Sequence, residues 1–215
     1  MTLTIWGRKT SSNVQALMWC IGELGLDYRR HDVGHVHGGN DTPEFLAMNP
    51  NGLVPVLRDG NEEPLWETGA ILRYLAARYG QETFWPADPV KRASVDKWAE
   101  WAKLNVALNF TGPVFWQVVR TAPARRDPAV LAAGLDRLEK HLAIAEAQLS
   151  DQTFLADDNF TLADIQFGHV LYRYFDIDIA RPTWPAIERY YATLTRRPAF
   201  SAHVMVSYDP LRVTE

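Results

Sequence analysis

Three short segments carry the groups best suited to chemistry on a small polar ligand. The first is Thr10-Ser11-Ser12-Asn13, directly ahead of a helical pattern. A helix N-terminus offers unpaired N–H groups and about half a positive charge. Hydroxyls placed there either cap the helix or donate outward to an anion such as a thiolate or carboxylate. The residues leave both uses open. The second segment is Val54-Pro55, a proline inside an apolar run. Proline lacks a ladder donor and confines a strand to an edge. A cis bond, the state of about 5–6% of X–Pro bonds, would instead turn the Val54 N–H and C=O outward to pair with an extended peptide. The third is Glu67-Thr68 at the start of another helical pattern. There a hydroxyl caps and a carboxylate complements the dipole. The same pair suits a ligand with an amino-acid head, its carboxylate on the helix N–H groups and its ammonium on Glu67.

Bringing these segments together requires a sheet flanked by helices. Leu3 to Trp6 reads as a strand ending at Gly7. A helix follows with Val14, Leu17, Met18, Ile21 and Leu24 on one buried face and Gly25 as its stop. Tyr28 to Val33 reads as a second strand, and the glycine-rich stretch from Gly34 to Asn40 as a mobile loop. Thr42 is placed to cap a short helix starting at Pro43. After the turn Asn49-Pro50-Asn51-Gly52, the runs Leu53 to Leu57 and Pro64 to Glu67 flank Asp59-Gly60-Asn61 as an antiparallel pair. Thr68 to Tyr79 is helical, with Thr68 as its cap and Gly80 as its stop. The order β-α-β-α-β-β-α predicts a mixed sheet of four strands over residues 1–82.

Pro86 to Pro89 reads as a linker, and residues 90–215 as an all-α domain. Helices are expected from Val90 to Val119, kinked or broken at Gly112-Pro113, from Pro128 to Leu149, and from Trp184 to Arg196. Thr161-Leu162-Ala163-Asp164 has the form of a capping box, with Phe160 and Ile165 placed as a hydrophobic staple.

Composition removes several function classes. With 47% hydrophobic and 22% charged residues over 215 positions, the chain can bury a core and is not intrinsically disordered. A formal charge of −4 carries no general attraction for nucleic acid or an anionic membrane. Arg125-Arg126 accordingly reads as a solvated loop. Cys20 is the only cysteine, so an intramolecular disulfide is impossible, and its place inside the first helix suggests buried filler. No metal site is expected: His31, His35 and His37 have no acidic or cysteine partners arranged around them. The apolar run Ala16 to Ile21 is far shorter than the roughly 20 residues a membrane span needs. The N-terminal segment lacks a secretory pattern, which makes the cytoplasm the expected location.

Taken together, the motifs resemble those of the cytosolic glutathione S-transferases, in order and spacing across the whole chain. They are Gly7-Arg8-Lys9-Thr10-Ser11-Ser12-Asn13-Val14, Asn49-Pro50-Asn51-Gly52-Leu53-Val54-Pro55, Glu67-Thr68-Gly69-Ala70-Ile71-Leu72-Arg73-Tyr74-Leu75 and Phe160-Thr161-Leu162-Ala163-Asp164-Ile165. The sequence is most similar to bacterial theta-like or phi-like enzymes of the serine type. The resemblance implies a thioredoxin-like N-terminal domain, an all-α C-terminal domain, a homodimer, and glutathione as co-substrate with no further cofactor. It implies Ser11 as the catalytic serine. Glutathione would then be bound by Ser12, Asn13, Val54 and Pro55, with Glu67 and Thr68 holding its γ-glutamyl end. Thr10, Ser12 and Asn13 compete with Ser11 for the sulfur, and His37, Asn40 and Arg8 compete for the glycine carboxylate.

Three features depart from family patterns. Trp6 and Gly7 stand where some classes have a catalytic tyrosine, Cys20 lies away from the catalytic loop, and Thr68 replaces a commoner serine. Trp98, Trp101, Asn105 and Asn109 share one helical face, with Phe115 and Trp116 beyond. Such a stripe is ordinarily core, but asparagines resist unpaired burial, so Trp101, Asn105 and Trp116 are expected to wall a site for small apolar electrophiles. The implied activity is conjugation of glutathione to these. The same activated thiolate would also serve disulfide or peroxide reduction, and the scaffold alone would serve as a ligand-binding module.

Overall fold

A computed structural model describes residues 2–215. The first part of the chain runs β1 (Leu3–Trp6), α1 (Ser12–Glu23), β2 (Tyr28–His31), α2 (Pro43–Met48), β3 (Val56–Asp59), β4 (Leu65–Trp66) and α3 (Thr68–Tyr79). The strands form one four-stranded sheet in the order β2-β1-β3-β4. β1 pairs parallel with β2 and antiparallel with β3, and β4 returns antiparallel to β3. Parallel pairing of β1 with β2 requires a crossover, which α1 supplies. This mixed sheet with its helices is the thioredoxin-like arrangement.

Two local expectations shift. The run expected to pair from Leu53 joins the sheet only at Val56, opposite Trp6, because Pro55 has no N–H to give the ladder. In α1 the buried surface is not one face. Every residue from Val14 to Ile21 is buried, Gln15 and Trp19 included. The helix is enclosed because α3 packs beside it and the helical domain closes over it.

The second part begins with α4 (Pro89–Trp101), capped by Asp88, whose carboxylate accepts from the Val90 and Lys91 N–H groups at 3.1 and 2.9 Å. Helical winding does not break at Gly112-Pro113. It continues through a π-helical stretch, Ala102–Ala107, a short α turn, α5 (Leu108–Phe110), and a second π-helical stretch, Thr111–Arg120. The wider π turn accommodates the prolyl ring that an α turn would reject. α6 (Pro128–Asp151) crosses this region at Gly134, where a Cβ would stand 3.0 Å from the Pro113 carbonyl. α7 (Leu162–Gly168), α8 (Leu171–Asp176), α9 (Pro185–Thr195) and α10 (Pro198–His203) complete the domain. α10 starts anew with Pro198 in its first turn. Among the described residues no helix is long and apolar enough to cross a membrane.

The expected capping box forms at α7, with Thr161 and Asp164 bonding reciprocally. Phe160 packs on Trp19 and Phe84, at ring separations of 5.5 and 6.0 Å. Trp19 is therefore a joint between the two parts of the chain, and it also meets Phe200 edge-on at 4.8 Å. Nearby, Arg197 grips Glu23 at the end of α1 through two hydrogen bonds of 2.8 and 2.6 Å.

His169, 1% exposed, lies where α7 ends. Burial, helped by the charge of Lys103, pushes its pKa down to about 3, so the imidazole is neutral and its Nδ1–H donates to the Ile165 carbonyl at 3.1 Å. An unfolded histidine takes up a proton near pH 6.5. The contribution of this group to stability is therefore present above about pH 6.5 and declines on acidification until about pH 3. Relative to His169→Gln, the native chain should lose about 2 kcal/mol more between pH 7 and pH 5, as read from urea unfolding midpoints.

Candidate active site

The loop between β1 and α1 is tied down by its backbone. The Gly7 carbonyl accepts from Arg30 at 2.8 Å, the Lys9 carbonyl from the Gln15 side chain at 3.1 Å, and the Thr10 carbonyl from Arg173 at 2.8 Å. Gly7 has a steric reason to be glycine, since a Cβ there would stand 2.5 Å from Val14 and 3.4 Å from Val54. Ser11 then occupies the N-cap of α1 with extended backbone angles, and its hydroxyl makes no capping bond. Of the two uses open to this hydroxyl, the helix does not take the first. Ser12 begins the helix, and Thr10 is buried. Asn13 is engaged differently, its Oδ1 accepting from Lys103 Nζ at 2.7 Å.

Val54 precedes the paired part of β3 and joins Pro55 through a cis bond. Among the described residues its N–H and C=O make no backbone hydrogen bond. Glu67 is the N-cap of α3 at φ +67°, a left-handed conformation that a residue other than glycine adopts at a cost of roughly 1–3 kcal/mol. Its exposed carboxylate makes no capping bond, and Thr68 is the first helical residue, not the cap expected from the sequence. Strain of this kind concentrates where a side chain must be aimed.

Thr10, Ser11, Ser12, Asn13 and Val54 line one cavity of about 190 Å³. Its far wall comes from the second π-helical stretch and the chain end, through Phe115, Trp116, Arg120 and Leu211, with Arg173 from α8. Glu67 and Thr68 lie outside that lining. They are connected to it by Lys103, which bonds Asn13 and whose charged form Glu67 favours. Burial is the larger influence on Lys103 and lowers its pKa. A bigger cavity, about 330 Å³, opens at the other end of α1 beside Glu23, Phe160 and Arg197. Its guanidinium is already committed to Glu23, so it offers no comparable set of spare donors.

Trp116 reaches the cavity with 47% of its surface exposed. Trp101 and Asn105 are absent from the lining. Trp101 packs on Trp98 at 5.1 Å and Phe167 at 6.3 Å. The asparagines find partners on their own helix, Asn105 donating to the Trp101 carbonyl at 3.1 Å and Asn109 to the Asn105 carbonyl at 2.8 Å. The unpaired burial that argued for a cleft at these positions therefore does not arise. Asn40 is likewise occupied, donating to the Gly52 carbonyl at 2.8 Å, whereas Arg8 lines the cavity. Cys20 is fully buried and its thiol is pushed up by burial, so it takes no part in the loop.

Sequence reasoning missed Lys103, Arg120 and Arg173. Each is a lone cation in an apolar helical run, distant in sequence from the loop it meets. A cation amid Leu171, Tyr172 and Tyr174 was the one available signal.

The comparisons agree with this architecture. Residues 1–77 match the family model for the glutathione S-transferase N-terminal domain, and residues 109–198 the model for its C-terminal domain. Glutathione S-transferase GstB of Escherichia coli is 38% identical over 205 residues, covering 95% of this chain and 98% of that protein. Glutathione S-transferase 3 of Zea mays is 34% identical, covering 94% and 93%. The crystal structure of a theta class glutathione S-transferase from the citrus canker pathogen Xanthomonas axonopodis pv. citri, with glutathione bound, superposes with a TM-score of 0.90 at 44% identity. It covers 95% of this chain and 98% of that one. With both domains matched in order and relatives aligned over nearly their full length, the chain belongs to the glutathione S-transferase family, on its bacterial theta-like side.

Proposed function

We propose that this transferase holds glutathione along the cis-proline segment and keeps its sulfur ionised at the N-terminus of α1, beside Ser11. The observation that carries the reading is the Ser11 hydroxyl, which lines the cavity while its helix leaves it uncapped. A thiol of pKa near 8.5 is only a few per cent ionised at pH 7, and the thiolate is the nucleophile. Lowering that pKa by about two units takes about 2.7 kcal/mol of preference for the thiolate. One charge-assisted hydrogen bond, roughly 1.5–3 kcal/mol, together with the helix N-terminus supplies it without a general base. The proton leaves to solvent on binding. The sulfur electron pair then forms a carbon–sulfur bond to the electrophile, and the leaving group departs with the pair of the bond it breaks.

Val54 presents the unpaired N–H and C=O that an extended cysteinyl unit would match. Glu67, held at φ +67°, is aimed as an ammonium acceptor, with Thr68 and the first N–H groups of α3 available to the γ-glutamyl carboxylate. Ser12 and Asn13 complete the glutathione side, Trp116 belongs to the second substrate, and residues 1–82 and 90–215 are the two domains. The homodimer and the cytoplasmic location belong to the same proposal, on family resemblance. Retention on immobilised glutathione, followed by conjugation of an activated aryl chloride, tests the whole reading. Retention without turnover, either of that chloride or of a peroxide, would return the chain to a binding module.

Glu67→Gln isolates the ammonium contact. It should raise KM for glutathione by roughly tenfold while changing kcat much less, since the lost contact is made equally before and during reaction. Steady-state kinetics with varied glutathione would check it.

A further inference from the structure

Guanidinium groups crowd the wall of the Ser11 cavity, and no carboxylate among the described residues pairs with them. Arg8, Arg120 and Arg173 all line it. Among the described residues none of them forms an ion pair, although five other arginines do. Arg173 is 3% exposed, and its Nε has no acceptor, its one hydrogen bond being that to the Thr10 carbonyl. The Arg8 Nε is also buried without a partner. Burial, followed by the neighbouring charges of Arg8 and Arg120, pulls the Arg173 pKa down to about 10, and Arg8 is lowered by burial and by Arg120. Like charges gathered at a partly desolvated wall are costly, and so is a buried cation without a counterion. Aromatic faces offset part of this, with Arg120 4.9 Å from the Trp116 ring centre and Arg173 4.7 Å from that of Phe115. Ring stacking uses the guanidinium plane and leaves the Arg173 Nε–H still without an acceptor.

Glutathione does not account for all three. On the reading above, its γ-glutamyl carboxylate lies at α3 and its glycine carboxylate takes at most Arg8, which leaves Arg120 and Arg173. We propose that the second substrate carries a carboxylate, seated between Arg120 and Arg173, with its electrophilic carbon toward Ser11. The wall is thus built for an anionic electrophile, not for the apolar one expected from the sequence. The inference rests on the transferase reading, and the reaction balances as before: a carbon–sulfur bond forms, a carbon–halogen bond breaks, and halide leaves with the electron pair.

A matched pair of substrates tests this, 4-chloro-3-nitrobenzoate and 4-chloro-3-nitrobenzamide, each normalised to its uncatalysed reaction with glutathione. The native enzyme should favour the carboxylate by about tenfold or more in kcat/KM, and Arg120→Gln should bring the ratio close to one. Arg125→Gln, on the exposed loop, should leave the ratio as it was. Arg120 is half-buried at the rim, so its replacement spares the buried core that Arg173 would disturb. Calorimetric binding of 3-nitrobenzoate against 3-nitrobenzamide, with glutathione present, reads the same preference without turnover. A ratio near one in the native enzyme by both methods would overturn the proposal and leave the transferase reading intact. So would an unchanged ratio in Arg120→Gln accompanied by weakened glutathione binding, which would assign the arginines to the tripeptide. Loss of glutathione retention by the native protein would instead sink the transferase reading itself.

Discussion

Ser11→Ala should raise the apparent pKa of the bound glutathione thiol by about one to two units and lower kcat/KM at pH 7 roughly 10- to 100-fold. The expectation follows from the hydroxyl at the N-cap of α1, which spends no bond on its own helix and lines the cavity. Removing it takes one donor from the thiolate and leaves the helix N-terminus in place, so the effect is large without being total. The sign with pH is fixed by the same argument. The variant should regain rate as pH rises through its higher thiol pKa, and converge on the native enzyme in alkali. Ultraviolet titration of the thiolate in the binary complex separates this from a loss of binding. Equal pKa values in native and variant proteins would remove Ser11 from the role, and a shift found in Ser12→Ala instead would move it one residue along. Asn13 stays a rival, because Lys103 engages only its Oδ1 and the amide N–H groups are left to donate.

Asp164→Ala should have the largest effect on stability, about 3–5 kcal/mol, a substantial part of a typical total of 5–15 kcal/mol. The fully buried carboxylate accepts from the Leu155 N–H at 2.9 Å, the Thr161 N–H at 2.7 Å, the Thr161 hydroxyl at 3.2 Å and the Tyr190 hydroxyl at 2.9 Å. Alanine strands those donors, and each buried orphan costs about 1–3 kcal/mol before relaxation. The site joins the loop before α7 to α9, so the damage should spread through the helical domain and be visible as a lowered urea midpoint. Asp164→Asn keeps the shape and one acceptor and should cost clearly less. Burial lifts the Asp164 pKa to about 6, against the opposing pull of its hydrogen bonds. Its contribution is therefore fully present below the unfolded value near 3.9 and fades as pH climbs through about 6. That slope opposes the one from His169, and each must be read as a difference between native chain and variant.

Much of the fold was legible because local signals and tertiary structure agreed. β1 and α3 occupy the spans their periodicity indicates, and the Thr161–Asp164 box and the Thr42 cap form where their residue types place them. The failures have particular causes. Gly112-Pro113 did not end its helix, because the π-helical stretches around it hold Lys103, Trp116 and Arg120 on a winding that α-helical spacing does not describe. Trp101 and Asn105 were expected at a cleft and pack or bond within the helical domain instead. Thr68 was expected to cap α3, a position that Glu67 takes with a left-handed backbone.

By itself the sequence picked out the groups we propose to hold glutathione: a loop of hydroxyls before α1, a proline-bearing strand entry and a carboxylate at α3. Each of these works through groups a few residues apart, so adjacency in the chain is enough to reveal them. The wall facing Ser11 was decided by tertiary structure alone. Arg8, Arg120 and Arg173 become a charged surface only when the second π-helical stretch and α8 are folded against the end of β1. Coulomb's law and desolvation depend on separation in space, which residue order does not state.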